Sequence, residues 1–289
     1  MILPDLFWGN YRLIFEIRRE TELVTYPFFS EAGGFNTEGL ATSLKGLNKA
    51  VVILNFPNNP TGYSPSVDEA EAIASTLVDA AADGTAILTI CDDAYFGLSY
   101  EENTYRESIF SLLASAHENI LAVKIDGPTK EEFAWGLRIG FVTFGSKGLE
   151  QIHYDALNLK LLGSIRSSVS NCSRPAQSLL IRALKEPGYE EQKSALREEL
   201  KLRYKEVKRI LNETDFAPLK PLPCNSGYFM SFSFPGKAEQ LRVKLLDEAG
   251  IGTISSQGDY LRVTYAAVER DALASLFSEI HRAAVDLAH

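Results

Sequence analysis

Apolar and polar residues along this chain alternate between two textures. "KAVVILNF" (49–56) is an almost unbroken apolar run, as expected of a strand covered on both faces. "AILTICDDAYF" (86–96), "NILAVKI" (119–125) and "RIGFVTFG" (138–145) read as further strands, and "ELVTYPFF" (22–29) is rich in β-forming residues. Between "KAVVILNF" and "AILTICDDAYF" the period changes to that of a helix. Ser64 and Pro65 look like an N-cap and first helical residue. Val67, Ala70, Ala74, Leu77 and Ala81 continue on one face, and Gly84 ends the helix. Strands alternating with helices predict an α/β fold with a largely parallel sheet and covering helices. Ligands of such sheets sit beyond the carboxyl ends of the strands.

From about Lys193 the texture shifts. "KSALREELKLRYKEVKRIL" places Leu196, Leu200, Tyr204, Val207 and Leu211 on one face of a long, densely charged helix. "NSGYFMSFSF", a helix near 237–249, "DYLRVTYA" and a last helix near 269–287 follow. This predicts two domains: a larger one over 1–198 and a smaller C-terminal α/β domain over 199–289, joined by the long helix.

Composition narrows the function classes. The chain has 289 residues, 45% hydrophobic and 23% charged, with a formal net charge of −9, so a nucleic-acid surface is not expected. The three cysteines, Cys91, Cys172 and Cys224, and the four histidines are spaced for neither a disulfide framework nor a zinc site. No apolar run approaches the roughly 18 residues of a membrane span. The start, "MILPDLFWGN", lacks the basic and small-residue signals of a secretory leader. A cytoplasmic protein with buried free thiols is expected.

Polar groups of distinctive type gather where strands end: Asn59 in "NNPTG", Asp92 and Tyr95 in "DDAY", and Lys130 and Arg138 in "KEEFAWGLR". Taken singly, each has an ordinary explanation as a turn, a cap or a surface charge. Together with "FWGNY" near the start and "YLRVTYA" near the end, they resemble in kind and order the class I/II aminotransferases, the fold type I enzymes that use pyridoxal 5'-phosphate. The resemblance runs the length of the chain.

The resemblance implies a role for each residue. Lys130 is the Schiff-base lysine and then the proton carrier at the substrate Cα. Asp92 keeps the pyridine nitrogen protonated, which makes the ring an electron sink. Asn59 and Tyr95 face the phenolic oxygen, and Trp8 stacks on the ring. Arg138, with Thr129, binds the phosphate. Arg262 grips the substrate α-carboxylate, beside Asn59. Amino acids and 2-oxo acids are the implied substrates and a homodimer the implied assembly. A lyase or synthase on the same fold, and a non-catalytic binding subunit, remain alternatives.

Three features depart from the family pattern. The glycine- and serine-containing phosphate loop that family members carry ahead of the stacking aromatic is not seen here. Weak cofactor retention and a partly uncovered sheet are therefore expected. Gly127 stands where the family has a serine. Glu131 and Glu132 follow Lys130 directly, where carboxylates facing the amine would favour its charged form.

Overall fold

In a computed structural model the chain is described over residues 1–288; His289, which closes the expected small domain, lies outside the described residues. Six strands form the first sheet: β1 (Ile2–Pro4), β2 (Val24–Tyr26), β3 (Lys49–Asn55), β4 (Ala86–Asp92), β5 (Ile120–Asp126) and β6 (Phe141–Gly145). Their order is β2-β1-β3-β4-β5-β6, parallel except for β6, which runs antiparallel to β5. Ile53, Ile90 and Val123 stand side by side across β3, β4 and β5. Nine helices are described: α1 (Thr37–Leu44), α2 (Val67–Ala82), α3 (Ile109–Leu113), α4 (Pro128–Glu131), α5 (Gln151–Ser168), α6 (Arg174–Leu184), α7 (Tyr189–Glu213), α8 (Ala238–Ala249) and α9 (Leu273–Ala288).

One face of the sheet is closed by α1, α2 and α3. Leu40, Leu44, Ile73, Leu77 and Leu113 meet Val52, Leu54, Cys91 and Ala122 there, all buried. Burial of each large side chain contributes about 1.5–3 kcal/mol. On the other face Ile53 packs against Leu3, Phe7 and Tyr11. Farther along that face the cover thins: Ile125 and Val142 are exposed, and Val51, Leu88 and Leu121 line an open hollow of about 700 Å³.

Two details of the helices differ from expectation. The cap of α2 is Ser66, not Ser64. Ser66 Oγ accepts from Glu69 N–H (3.2 Å) while the Glu69 carboxylate accepts from Ser66 N–H (2.7 Å), a reciprocal capping box. Val67 is consequently exposed, and Ile73 joins the buried stripe. In α7 the buried stripe is Lys193, Leu200, Tyr204, Val207 and Ile210; Leu196 is half exposed. The expected boundary at 198/199 falls inside this helix, just before Leu200 enters the second core.

That core belongs to a smaller antiparallel sheet of β7 (Lys220–Pro221), β8 (Phe229–Ser233), β9 (Ile254–Ser256) and β10 (Tyr260–Thr264), in the order β7-β8-β10-β9. Phe232, Val263 and Tyr265 pack with Val207 of α7, Leu241 of α8 and Phe277 of α9. Tyr95, Leu98 and Tyr100, from the loop after β4, enter the same core and tie the two sheets together.

A second tie is polar. The Asn225 amide accepts from Ser64 N–H and donates to Ser64 O, both at 2.8 Å, imitating a strand pair. The N–H groups of Asn225 and Ser226 both donate to Gly62 O (3.0 and 2.9 Å), and Ser231 Oγ donates to Pro60 O (2.9 Å). Gly62 has φ +70°, and a Cβ there would lie 2.0 Å from Phe229 O. Glycine is therefore required twice, by backbone conformation and by contact. Gly62→Ala should cost at least ~2 kcal/mol, a fall in Tm of several degrees. Gly84→Ala is the control: φ there is +101° but the space is open, so it should cost only the conformational part, about 1 kcal/mol. Equal melting of the two variants would show that the contact with Phe229 is not tight.

Candidate active site

Parallel strands bring their carboxyl ends to one edge, and the polar residues of the sequence follow those ends. Tyr11 comes after β1, the "NFPNNPTG" loop after β3, Asp92 ends β4, and Lys130 follows β5. The three asparagines of the loop have separate tasks. Asn55 lies opposite Asp92 in the sheet; its Nδ2 donates to Asp92 O and its Oδ1 accepts from Asn59 N–H, both at 2.9 Å. Asn58 Oδ1 accepts from Thr61 N–H (3.1 Å) and Thr61 Oγ1 (2.7 Å), while its Nδ2 donates to Leu6 O (3.2 Å), closing the turn. Asn59 is thereby presented to the small domain, where its Oδ1 accepts from Arg262 Nη1 at 2.7 Å.

The two adjacent aspartates face opposite sides of the sheet. Asp92 accepts a short hydrogen bond from the Tyr11 hydroxyl and a second from Ala94 N–H (3.1 Å). Burial raises its pKa, against the opposing pull of Tyr11, Ala94 N–H and the Lys130 charge. Asp93 is buried against the helix-covered face, 4.0 Å from Lys124, itself bound to Asp126 at 2.7 Å. Burial pushes its carboxyl up to about 7, with Ser108 and Lys124 pulling it down. Asp92 alone shares a setting with Lys130.

The Lys130 amine lies 4.8 Å above the centre of the Tyr95 ring. Its pKa is lowered, by burial first and also by Arg138, while Asp92 acts the other way. That is the direction a nucleophilic amine needs. The Tyr95 ring stands edge-on to Phe229 at 5.5 Å, and the Arg262 guanidinium lies 4.3 Å over Phe229. Two cations from different domains therefore rest on one aromatic pair. Burial raises the Tyr95 hydroxyl to about 12. Arg262 is largely buried and its Nε makes no hydrogen bond among the described residues. Burial also lowers its pKa. Such a guanidinium is short of an anion.

The remaining predicted residues surround this centre. Trp8 is 37% exposed, and its ring stands nearly perpendicular to that of Tyr11 at 5.6 Å. Arg138 is exposed, with φ +54°, and Thr129 is half-buried in the turn before Lys130. Gly127 is not an arbitrary loss of a serine. A Cβ there would lie 2.6 Å from Ile139 O, so the close approach of the chain leading into β6 excludes a side chain. Glu132 is turned to α7, where it is bound by Lys193 and Tyr189, each at 2.6 Å. Trp135 is more than half exposed. Tyr11 and Asn55, which touch Asp92 and Asn59, are not singled out by the motifs of the sequence. Tyr11 lies inside the quoted "FWGNY", and Asn55 is the last residue of an apolar strand. Among the described residues no cluster of His, Cys, Asp or Glu could hold a metal ion, and no helix is long and apolar enough to cross a membrane.

The chain is similar to known proteins over nearly all of its length. The aspartate aminotransferase of Geobacillus stearothermophilus is 26% identical over 98% of this chain and 69% of its own length. A crystal structure of an aminotransferase from Anaerococcus prevotii superposes with a TM-score of 0.85 at 25% identity, covering 97% of this chain and 68% of that one. The α-aminoadipate aminotransferase of Thermus thermophilus, solved with N-(5'-phosphopyridoxyl)-L-leucine, shares the fold with a TM-score of 0.80 at 20% identity, covering 100% of this chain and 71% of that one. The chain thus spans about two thirds of the length of each. Residues 1–280 match the family model "Aminotransferase class I and II", and the chain belongs to that family of amino-group-transferring enzymes.

Proposed function

We propose that this chain transfers an amino group between an amino acid and a 2-oxo acid, using pyridoxal 5'-phosphate held at Lys130. The observation that carries the reading is the buried Arg262 guanidinium. It is hydrogen-bonded to Asn59, short of an anion, and set across the Tyr95–Phe229 pair from an amine of lowered pKa. The residues present fit the cofactor. Asp92 is a largely buried carboxylate positioned to pair with a cationic ring nitrogen, and Trp8 offers a ring face. When bound, the cofactor supplies a carbonyl that captures amines and a ring that draws electron density from the substrate Cα.

The chain's own residues divide the remaining work. Lys130 would hold the cofactor, and its free amine would move the proton at the substrate Cα. Asp92 would pair with the ring nitrogen, with Tyr11 favouring its ionised form. Asn59 and Tyr95 would face the phenolic oxygen, and Arg138 and Thr129 the phosphate. Arg262 holds the α-carboxylate in a two-pronged grip that only a guanidinium offers. The working unit is a cytoplasmic homodimer. It is supported by α5, a helix with no buried side chain although it carries Ile152, Leu159 and Leu162.

Arg262→Ala tests the reading. Two hydrogen bonds to a charged group contribute about 1.5–3 kcal/mol each. KM should therefore rise by about a hundredfold or more for amino acid and oxo acid alike, with cofactor binding retained. Unchanged KM for both would reject the role.

Tyr11→Phe tests the Asp92 arrangement. Removing the hydroxyl withdraws a hydrogen bond that lowers the Asp92 pKa, so that pKa rises. The acid limb of the kcat profile should then move to higher pH, by about one unit or more. An unmoved acid limb would separate Tyr11 from the chemistry.

A further inference from the structure

Two carboxylates beside a lysine that must lose its proton look like a defect, yet the structure turns them away. Glu132 accepts from Lys193 Nζ and from the Tyr189 hydroxyl, each at 2.6 Å, with both charged side chains largely buried. Tyr189, Lys193 and Arg197 recur every four residues at the start of α7, one stripe along the helix facing the Lys130 segment. Farther along, Leu200, Tyr204, Val207 and Ile210 of the same helix are buried in the small-domain core. Arg203 donates to Ala266 O (2.6 Å) and pairs with Glu269 (3.0 Å), just beyond β10, the strand that carries Arg262. The Tyr228 hydroxyl adds a contact to Lys130 O at 3.3 Å.

We propose that Lys193 and Tyr189 form a positioning clamp on Glu132, which draws the carboxylates after Lys130 toward α7 and fixes the Lys130 segment to the helix that carries the small domain. The catalytic consequence rests on the reading of Lys130 above; the clamp itself does not. Neither residue is catalytic: both act through Glu132.

The charges on each side are accounted for. Lys130 is faced by Asp92, by Arg138 and by the Tyr95 ring, and neither glutamate contributes to its lowered pKa. Glu132 faces Lys193, Tyr189 and Arg197 on α7. Burial raises its pKa, but those three outweigh burial and leave it lowered. Glu131 is raised by burial and by Glu132, and drawn down by Lys193, Arg197 and Lys124. Loss of the Lys193 charge would free Glu132 to swing toward the amine.

The test is trace acetylation of the cofactor-free chain across pH, read at Lys130 by peptide mass spectrometry. Lys193→Met should move the Lys130 profile to higher pH and slow its labelling near neutrality by about tenfold. Lys193→Arg should label as the wild type does. The double variant Lys193→Met, Glu132→Gln should return to the wild-type profile, because the freed charge is gone. A merely structural loss would make the double variant no better than the single one, and that result, or an unmoved single variant, overturns the proposal. If Lys193→Met does not fold, Tyr189→Phe removes one of the two donors and should shift the profile the same way to a lesser extent; no shift there overturns it equally. The labelling reads the bare amine, so failure of the clamp leaves the function assigned to Lys130 untouched, and failure of that function leaves the clamp measurable.

Discussion

The site depends on the register of β3 against β4. Asn55 pairs with Asp92 across that boundary, and the Asn55 amide then joins the Asp92 carbonyl to the Asn59 N–H. Because strand side chains alternate between faces, a slip of one residue would carry Asp92 to the helix-covered face and bring Asp93 into its place. The apolar pattern of β4 resists that slip, since it would also turn Ile87 and Cys91 out of the helix-covered core. The hydrophobic core thus selects which aspartate meets Lys130.

The second dependence is between domains. Arg262 lies on β10, so its contact with Asn59 exists only while the small sheet is held against the "NNPTG" loop. The hold is made by Asn225, Ser226 and Ser231 on the backbone of residues 60–64, with Gly62 permitting the approach. The same loop therefore presents Asn59 and serves as the docking edge. Its density of Asn, Pro and Gly answers both demands: backbone turns must close tightly, and no side chain may stand between the two sheets.

Much of this was legible in the sequence, for physical reasons. The runs "KAVVILNF", "AILTICD" and "NILAVKI" could bury only as central strands, and their ends located Asn59, Asp92 and Lys130. The cap at Ser66 was also legible, because Ser66 and Glu69 stand at capping-box spacing; Ser64 drew attention only because a proline follows it. Other features were not. The antiparallel direction of β6 depends on how the chain returns, which a local pattern does not encode. Leu196 fits the helical stripe of α7 by period but lies before the point where the helix enters the small-domain core. Tyr11 reads as one aromatic among several until Asp92 is placed beside it. Glu132 looks harmful to Lys130 until Lys193 and Tyr189, distant in sequence, take up its charge.

The central claim is that Lys130 is the residue through which the cofactor is held, beside Asp92 and across from Arg262. Incubation of the chain with pyridoxal 5'-phosphate, reduction with borohydride and peptide mapping test it directly. A pyridoxyl mass is expected on the peptide containing Lys130, abolished by Lys130→Ala. A label confined to Lys124 or Lys147, or one that survives Lys130→Ala unchanged, would contradict it.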